Sequence, residues 1–287
     1  MQSLLQHPQF AGSWRMLVAM LMSGTIGLFV VESGQDTATV VFYRCLLGGA
    51  ALLVYLSWQR GWQKLSAQQS GYLLAGGLAL VANWFCLFGA YQLSSISIAT
   101  LVYHTQPFFL LLLTAFGSKQ WPPAAKWGWL ALAFVGVAGT TGLGQHSDNS
   151  LLWQGVGLAA VAACLYAVAT MTTRKLTGIA PAQIAGLQMV LGVLLMLPLE
   201  KTSLLVMPAL SIGALLTLGL VHTGLMYSAF QRLPVTSIAF LSFVYPLLTV
   251  LIDFWYYDLT LSWSQYGGMA LIVLALVAHQ RNWGVRP

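Results

Sequence analysis

Few side chains in this sequence can do chemistry, and nearly all of them interrupt long apolar runs. Asn83, His104, His222 and Arg44 each stand alone among aliphatic residues, while Tyr91, Tyr103, Tyr166, Tyr227 and Tyr245 carry hydroxyls into similar surroundings. Asn and Tyr offer hydrogen bonds, His offers a hydrogen bond or a proton, and Arg offers a planar grip on a carboxylate. The six acids are scattered, as are the five His, and the three Cys, at Cys45, Cys86 and Cys164, contain no CxxC pair. Clustered carboxylates or a metal site are what a membrane-embedded enzyme such as a lipid or prenyl transferase needs. Neither is present in the pattern, so no catalytic residue, metal or cofactor is expected. The cysteines read as small buried side chains. The expected work of the polar groups is recognition of a small solute.

The elements that carry these residues follow from composition. Of 287 residues 58% are hydrophobic and 6% charged, against about 25% charged in ordinary soluble domains. A soluble globular protein is excluded. A net charge of +6 would elsewhere suggest a nucleic-acid partner, but here the cations sit between apolar runs, so none is expected. A spanning helix needs about 20 apolar residues, and ten such runs occur, roughly at 14–31, 37–58, 70–92, 97–118, 125–143, 151–173, 181–198, 209–230, 235–254 and 262–281. Polar Gln2 to Ser13 precedes the first, and no small-residue cleavage signature follows it, so it reads as a retained helix. The partners expected are the lipid bilayer and a small-molecule solute, with function as a monomer.

Charge sets the expected orientation. With a cytoplasmic N-terminus, Arg15, Arg60, Lys64, Lys119, Lys126, Arg174, Lys175, Arg232, Arg281 and Arg286 lie inside and only Lys201 outside, the bias that cytoplasmic loops show. Glu32, Asp36, Asp148, Glu200, Asp253 and Asp258 then fall in or beside outside loops. Both termini are expected to be cytoplasmic.

The chain also repeats. Ala90-Tyr91-Gln92, Ser97-Ile98-Ala99 and Pro107 recur as Ala229-Phe230-Gln231, Ser237-Ile238-Ala239 and Pro246. Gly128 and Gly267 each follow their proline by 21 residues, and Arg44 with Gly48 corresponds to Gln188 with Gly192. The offsets all lie between 139 and 144 residues, a sign of internal duplication. Five spans per repeat would place the second upside down relative to the first, as in secondary transporters. The expected fold is therefore all-α and integral to the membrane: ten transmembrane helices as two inverted five-helix repeats, over 1–148 and 149–287.

Ten spans as five plus five, a mid-span proline in spans four and nine, and a glycine-containing helix closing each half resemble the EamA-type drug/metabolite transporter superfamily. Such proteins commonly carry an acid shortly after the ninth-span proline. Asp258 occupies that place, whereas the first half has Ser118 and Lys119, so no acidic pair is inferred. The aromatic-rich spans and Tyr103-His104-Thr105-Gln106-Pro107 look most like the bacterial exporters of aromatic and other amino acids. The resemblance implies an inner-membrane carrier exporting amino acids through a central cavity by alternating access, with drug or cationic metabolite efflux as the alternative.

Each candidate residue has a plainer reading. Pro107 weakens the turn at Tyr103 and Pro246 the turn at Ser242, which frees carbonyls toward a pathway or merely kinks a helix for packing. His104, beside the proline turn, is expected at the cavity, and His222 is a further cavity candidate whose plainer reading is a helix–helix contact. Trp84, Asn83, Tyr91, Tyr103, Tyr166, Tyr227, Phe243 and Tyr245 suit a pocket for a planar solute with a polar end, or else pack against lipid and neighbours. Trp58, Trp62, Trp121, Trp127, Trp153 and Trp263 belong to the interfacial belt. Arg44 either snorkels to Glu32 or Asp36 or holds a solute carboxylate. No acid lies at the centre of a span, so movement down a gradient is expected, with a His relay as the other route. Gly24 with Gly27, Gly48 with Gly49, and Gly136 with Gly139 permit close helix approach.

Overall fold

The computed structural model describes residues 8–26, 28–29, 35–94, 96–140, 150–199, 221–256 and 262–284. Gln2, Gly27, Glu32, Asp148, Glu200, Lys201, Asp258, Arg286 and most of the eighth run lie outside the described residues, as does the side chain of Asp253.

Every element among the described residues is helical. The first half contains α1 (Pro8–Gly24), α2 (Thr37–Trp58), α3 (Ala67–Leu93), α4 (Ile96–Tyr103), α5 (Gln106–Ser118) and α6 (Ala124–Thr140). The second contains α7 (Ser150–Arg174), α8 (Pro181–Met196), α9 (Thr223–Phe230), α10 (Val235–Leu241), α11 (Val244–Tyr256) and α12 (Trp263–Gln280). Among the described residues, three helices, over Thr37–Trp58, Ala67–Leu93 and Trp153–Arg174, are long and apolar enough to cross a bilayer.

Polar caps set several helix starts. The Asp36 carboxylate accepts from the Thr39 amide at 3.1 Å and from Thr39 Oγ1 at 2.9 Å, which satisfies one of the orphan donors of α2. Ser66 with Gln69 and Ser262 with Gln265 close capping boxes on α3 and α12. Proline opens α8 at Pro181.

The fourth and ninth runs are each broken in two. One break falls at His104–Thr105, between α4 and α5, and the other at Ser242–Phe243, between α10 and α11. Pro107 and Pro246 stand two and three residues beyond these breaks, respectively, and have no amide hydrogen with which to continue the ladder. Short bonds take over there: Phe108 N donates to the Thr105 carbonyl and Tyr245 N to that of Ser242. Thr105 Oγ1 and Ser242 Oγ in turn donate to Val102 O and Ala239 O, each at 2.7 Å.

The main helix contacts cross between halves: α2 on α8, α3 on α7, α1 on α9, and α6 on α12. Each pair is antiparallel. Gly49 faces Met189 while Gly186 faces Leu53 and Gly192 faces Cys45; on the other seam, Gly136 meets Gly268 and Ile272 while Gly139 meets Ser264. A Cβ on Gly136 would stand 2.7 Å from the Gly268 carbonyl oxygen, so only glycine permits that approach. Gly24 meets Leu248.

Connecting segments are tied at one end of the bundle. Gln63 N donates to Gln183 Oε1 at 2.9 Å and Gln183 Nε2 returns a bond to Gln63 O at 2.8 Å. Arg174 Nη1 donates to the carbonyls of Phe230, at 2.9 Å, and Leu233. Lys126 Nζ donates to Asn282 Oδ1 at 2.7 Å. These bonds gather the segments carrying Arg60, Lys64, Lys175 and Arg232 around one rim. The outward face is apolar well away from the ends, with Val161 at 50% and Val273 at 48% exposure, as lipid contact demands. Trp58, Trp62, Trp121, Trp153 and Trp263 are exposed, whereas Trp127 is half-buried against Phe108.

One expectation is corrected here. Only Cys45 is buried; Cys86 is partly exposed and Cys164 exposed. In a bilayer protein an apolar neighbourhood in sequence belongs equally to a helix face turned toward lipid, so it does not report burial.

Candidate functional site

A cavity enclosing about 50 Å³ lies between the halves. From the first half, α1 and the turn after it supply Met20, Ser23 and Ile26, α2 supplies Arg44, α3 supplies Trp84, Leu87, Phe88 and Tyr91, and the break around Pro107 supplies Tyr103 and Gln106. The second half contributes Tyr166, His222, Met226 and Tyr245. A space of this size holds a few waters, far below the roughly 300–1,000 Å³ of an ordinary small-molecule site. The walls are close together in this conformation.

The aromatic wall is braced by its own hydroxyls. Tyr91 and Tyr245 oxygens are 3.1 Å apart, joining α3 to α11, and Tyr166 OH donates to Met226 Sδ at 3.4 Å. Tyr103 stands edge-on to Tyr166 with ring centroids 6.0 Å apart.

Another part of the lining is cationic. Arg44 is 1% exposed, and its guanidinium carbon lies 4.2 Å above the centre of the Trp84 ring. A line of hydrogen bonds runs from it. Ser23 Oγ donates to Ala19 O at 3.0 Å, so it accepts from His222 Nε2 at 2.8 Å. That leaves His222 Nδ1 as the acceptor facing Arg44 Nη2 at 3.4 Å. Arg44 Nε has no partner. Burying a cation costs several kcal/mol, while a desolvated cation–π contact returns about 2 kcal/mol and a hydrogen bond from a charged donor about 1.5–3 kcal/mol at ordinary length, which this one exceeds at 3.4 Å. The balance favours an anion beside Arg44.

The snorkelling reading of Arg44 does not hold for Asp36: Arg44 is buried in the cavity lining against Trp84 and His222, while the Asp36 carboxylate caps α2 through Thr39. Its other suggested partner, Glu32, lies outside the described residues.

Other candidates stand behind the lining. Asn83 is fully buried, donating to Ala162 O at 2.7 Å and to Tyr103 OH at 3.3 Å. His104 is also fully buried; its Nδ1 donates to Thr100 O at 2.6 Å, and its ring stacks on Tyr245 at 5.1 Å and meets Phe243 at 5.9 Å. It thus packs behind the wall, while His222 reaches the cavity. Tyr227 donates to Gln188 Oε1, and Phe243 is fully buried. Pro107 and Pro246 are buried beside Gln106 and Tyr245.

The residues that sequence reasoning missed are mostly Met, Leu, Ile and Phe, which carry no signal in such a composition. Ser23 and Gln106 did carry one, as polar residues inside apolar runs. The repeat offers another: Asn83 and His222 are 139 residues apart, as are Ser23 and Ala162, and His104 and Phe243. Asn83 bonds to residue 162 and His222 to residue 23, so equivalent positions make equivalent contacts.

Comparison with known proteins agrees with this architecture. The EamA-like transporter family matches twice, over residues 7–142 and 153–278. A protein of Bacillus subtilis (strain 168), the uncharacterized transporter YxxF, is 29% identical over 251 residues, covering 83% of this chain and 79% of its own. One protein of known crystal structure shares the fold with a TM-score of 0.77 at 18% identity, over 96% of this chain and 99% of that one.

Proposed function

The chain belongs to the EamA-like transporter family, a family of membrane transporters, and on that premise we propose that it exports amino acids, aromatic ones included and with broad specificity, from the bacterial cytoplasm across the inner membrane. The observation that carries this reading is the cavity between the halves, where tyrosines face a single buried arginine. Aromatic rings suit a planar apolar side chain, and a cation suits a carboxylate.

In this reading the chain crosses the bilayer ten times with both termini cytoplasmic, as two inverted repeats over 1–148 and 149–287, and works as a monomer. The antiparallel pairing of corresponding helices supports the inversion, and the rim of basic segments supports the orientation. Alternating access supplies the room that the narrow cavity lacks: parting of the halves at one end or the other widens the space around Arg44 and the tyrosines. Solute moves down its gradient. His104, fully buried and outside the cavity lining, is unsuited to relay protons through the cavity.

Uptake of labelled phenylalanine into proteoliposomes tests the reading. Saturable uptake competed by several unlabelled amino acids is expected. Competition by drug-like cations alone would replace it with cationic efflux. A strong dependence on an imposed pH gradient, abolished by His104→Ala, would overturn the downhill mechanism.

A further inference from the structure

Arg44 is placed as a receptor and not as a strut. Its side chain is 1% exposed yet lines the cavity, its Nε is without a partner, and one Nη meets only the ring nitrogen of His222 at the long distance of 3.4 Å. A guanidinium has five donors in one plane; the His222 contact uses one of them, and Nε is left unpaired. Its neighbours fix it from two sides: Trp84 supports the flat face at 4.2 Å, and His222 is itself held by Ser23 at 2.8 Å. The equivalent residue, Gln188, is engaged instead by Leu73 O and Tyr227.

We propose that Arg44, oriented by Trp84 and the Ser23–His222 pair, is an anion subsite that takes the carboxylate of the solute and makes the protein select carboxylates and amino acids over amines. This rests on the cavity being the solute site. The carboxylate lies along the guanidinium fork, and the aromatic end points toward Tyr91, Tyr103 and Tyr245. His222 acts as a positioning residue, holding the fork by accepting from Nη2. A solute with an ammonium group and no carboxylate meets a like charge at the same wall.

The test compares phenylalanine, 3-phenylpropionate, which lacks the amine, and phenethylamine, which lacks the carboxylate. In proteoliposome counterflow with the wild-type chain, the first two are expected to compete at least tenfold better than the third. Arg44→Gln is expected to lower phenylalanine flux tenfold or more, with Arg44→Lys recovering part of it. Equal competition by phenethylamine, or unchanged flux in Arg44→Gln, would overturn the subsite while leaving a carrier. A thermal melt in detergent provides a readout independent of flux: 3-phenylpropionate is expected to raise the midpoint of the wild-type protein and not that of a monodisperse Arg44→Gln variant. That shift without any flux would keep the subsite and overturn the transport reading, and no shift in the wild type would overturn the subsite.

Discussion

The two halves use equivalent positions for opposite ends. In the first half, position 44 is an arginine facing the cavity; in the second, position 188 is a glutamine spent on Leu73 O and Tyr227. His222 lines the cavity and bonds to the side chain of Ser23, whereas its counterpart Asn83 turns away and bonds to the backbone of Ala162. The helices match and their contacts match, yet the chemistry is concentrated on one side. Duplication supplies a scaffold that is symmetric in its packing, and single substitutions at matched positions give it a polar wall and an aromatic wall.

The strongest way to break this comparison is to charge the equivalent position of the second half. Gln188→Arg puts a cation at a fully buried position whose hydrogen bonds are already taken, and a stranded buried charge costs about 3–5 kcal/mol. The expected outcome is a loss of monodisperse protein on size exclusion in detergent. A well-folded variant with doubled carboxylate affinity would show instead that the second half is equally available. A smaller effect is expected from Asn83→Ala, which removes a donor to Ala162 O and Tyr103; membrane hydrogen bonds average about 0.6 kcal/mol and reach about 1.7 kcal/mol, and the buried carbonyl left behind places this one near the upper figure. A modest fall in melting temperature checks it. Tyr91→Phe is the mildest: it deletes one hydroxyl of the Tyr91–Tyr245 contact and costs about 0.6 kcal/mol. Its melt should shift least of the three, and phenylalanine flux should change by less than threefold.

Much of this scaffold was legible in the chain. The run at 37–58 is a helix from Thr37 to Trp58, and the breaks at His104–Thr105 and Ser242–Phe243 fall within a residue of the turns that proline chemistry weakens. Proline acts locally through a missing donor, so sequence reveals it. Which face of a helix points inward is a tertiary fact, and in a bilayer both faces are apolar. That is why Cys164 is exposed and why Met20, Leu87 and Met226 went unnoticed as lining. His104 and His222 show the same limit: both are isolated histidines in apolar runs, and only the helix rotation decides which one packs on Tyr245 and which reaches Arg44.

The contact of His104 with Phe243, its own counterpart 139 residues on, marks where the two repeats face each other most directly. Two identical half-chains meeting there would set like against like, histidine on histidine, and would present the same residue to a bound molecule from both sides. A guest with one charged end would then have two equal ways to lie. Joined in a single polypeptide, the repeats are free to diverge, and the chamber between them gains a head and a tail.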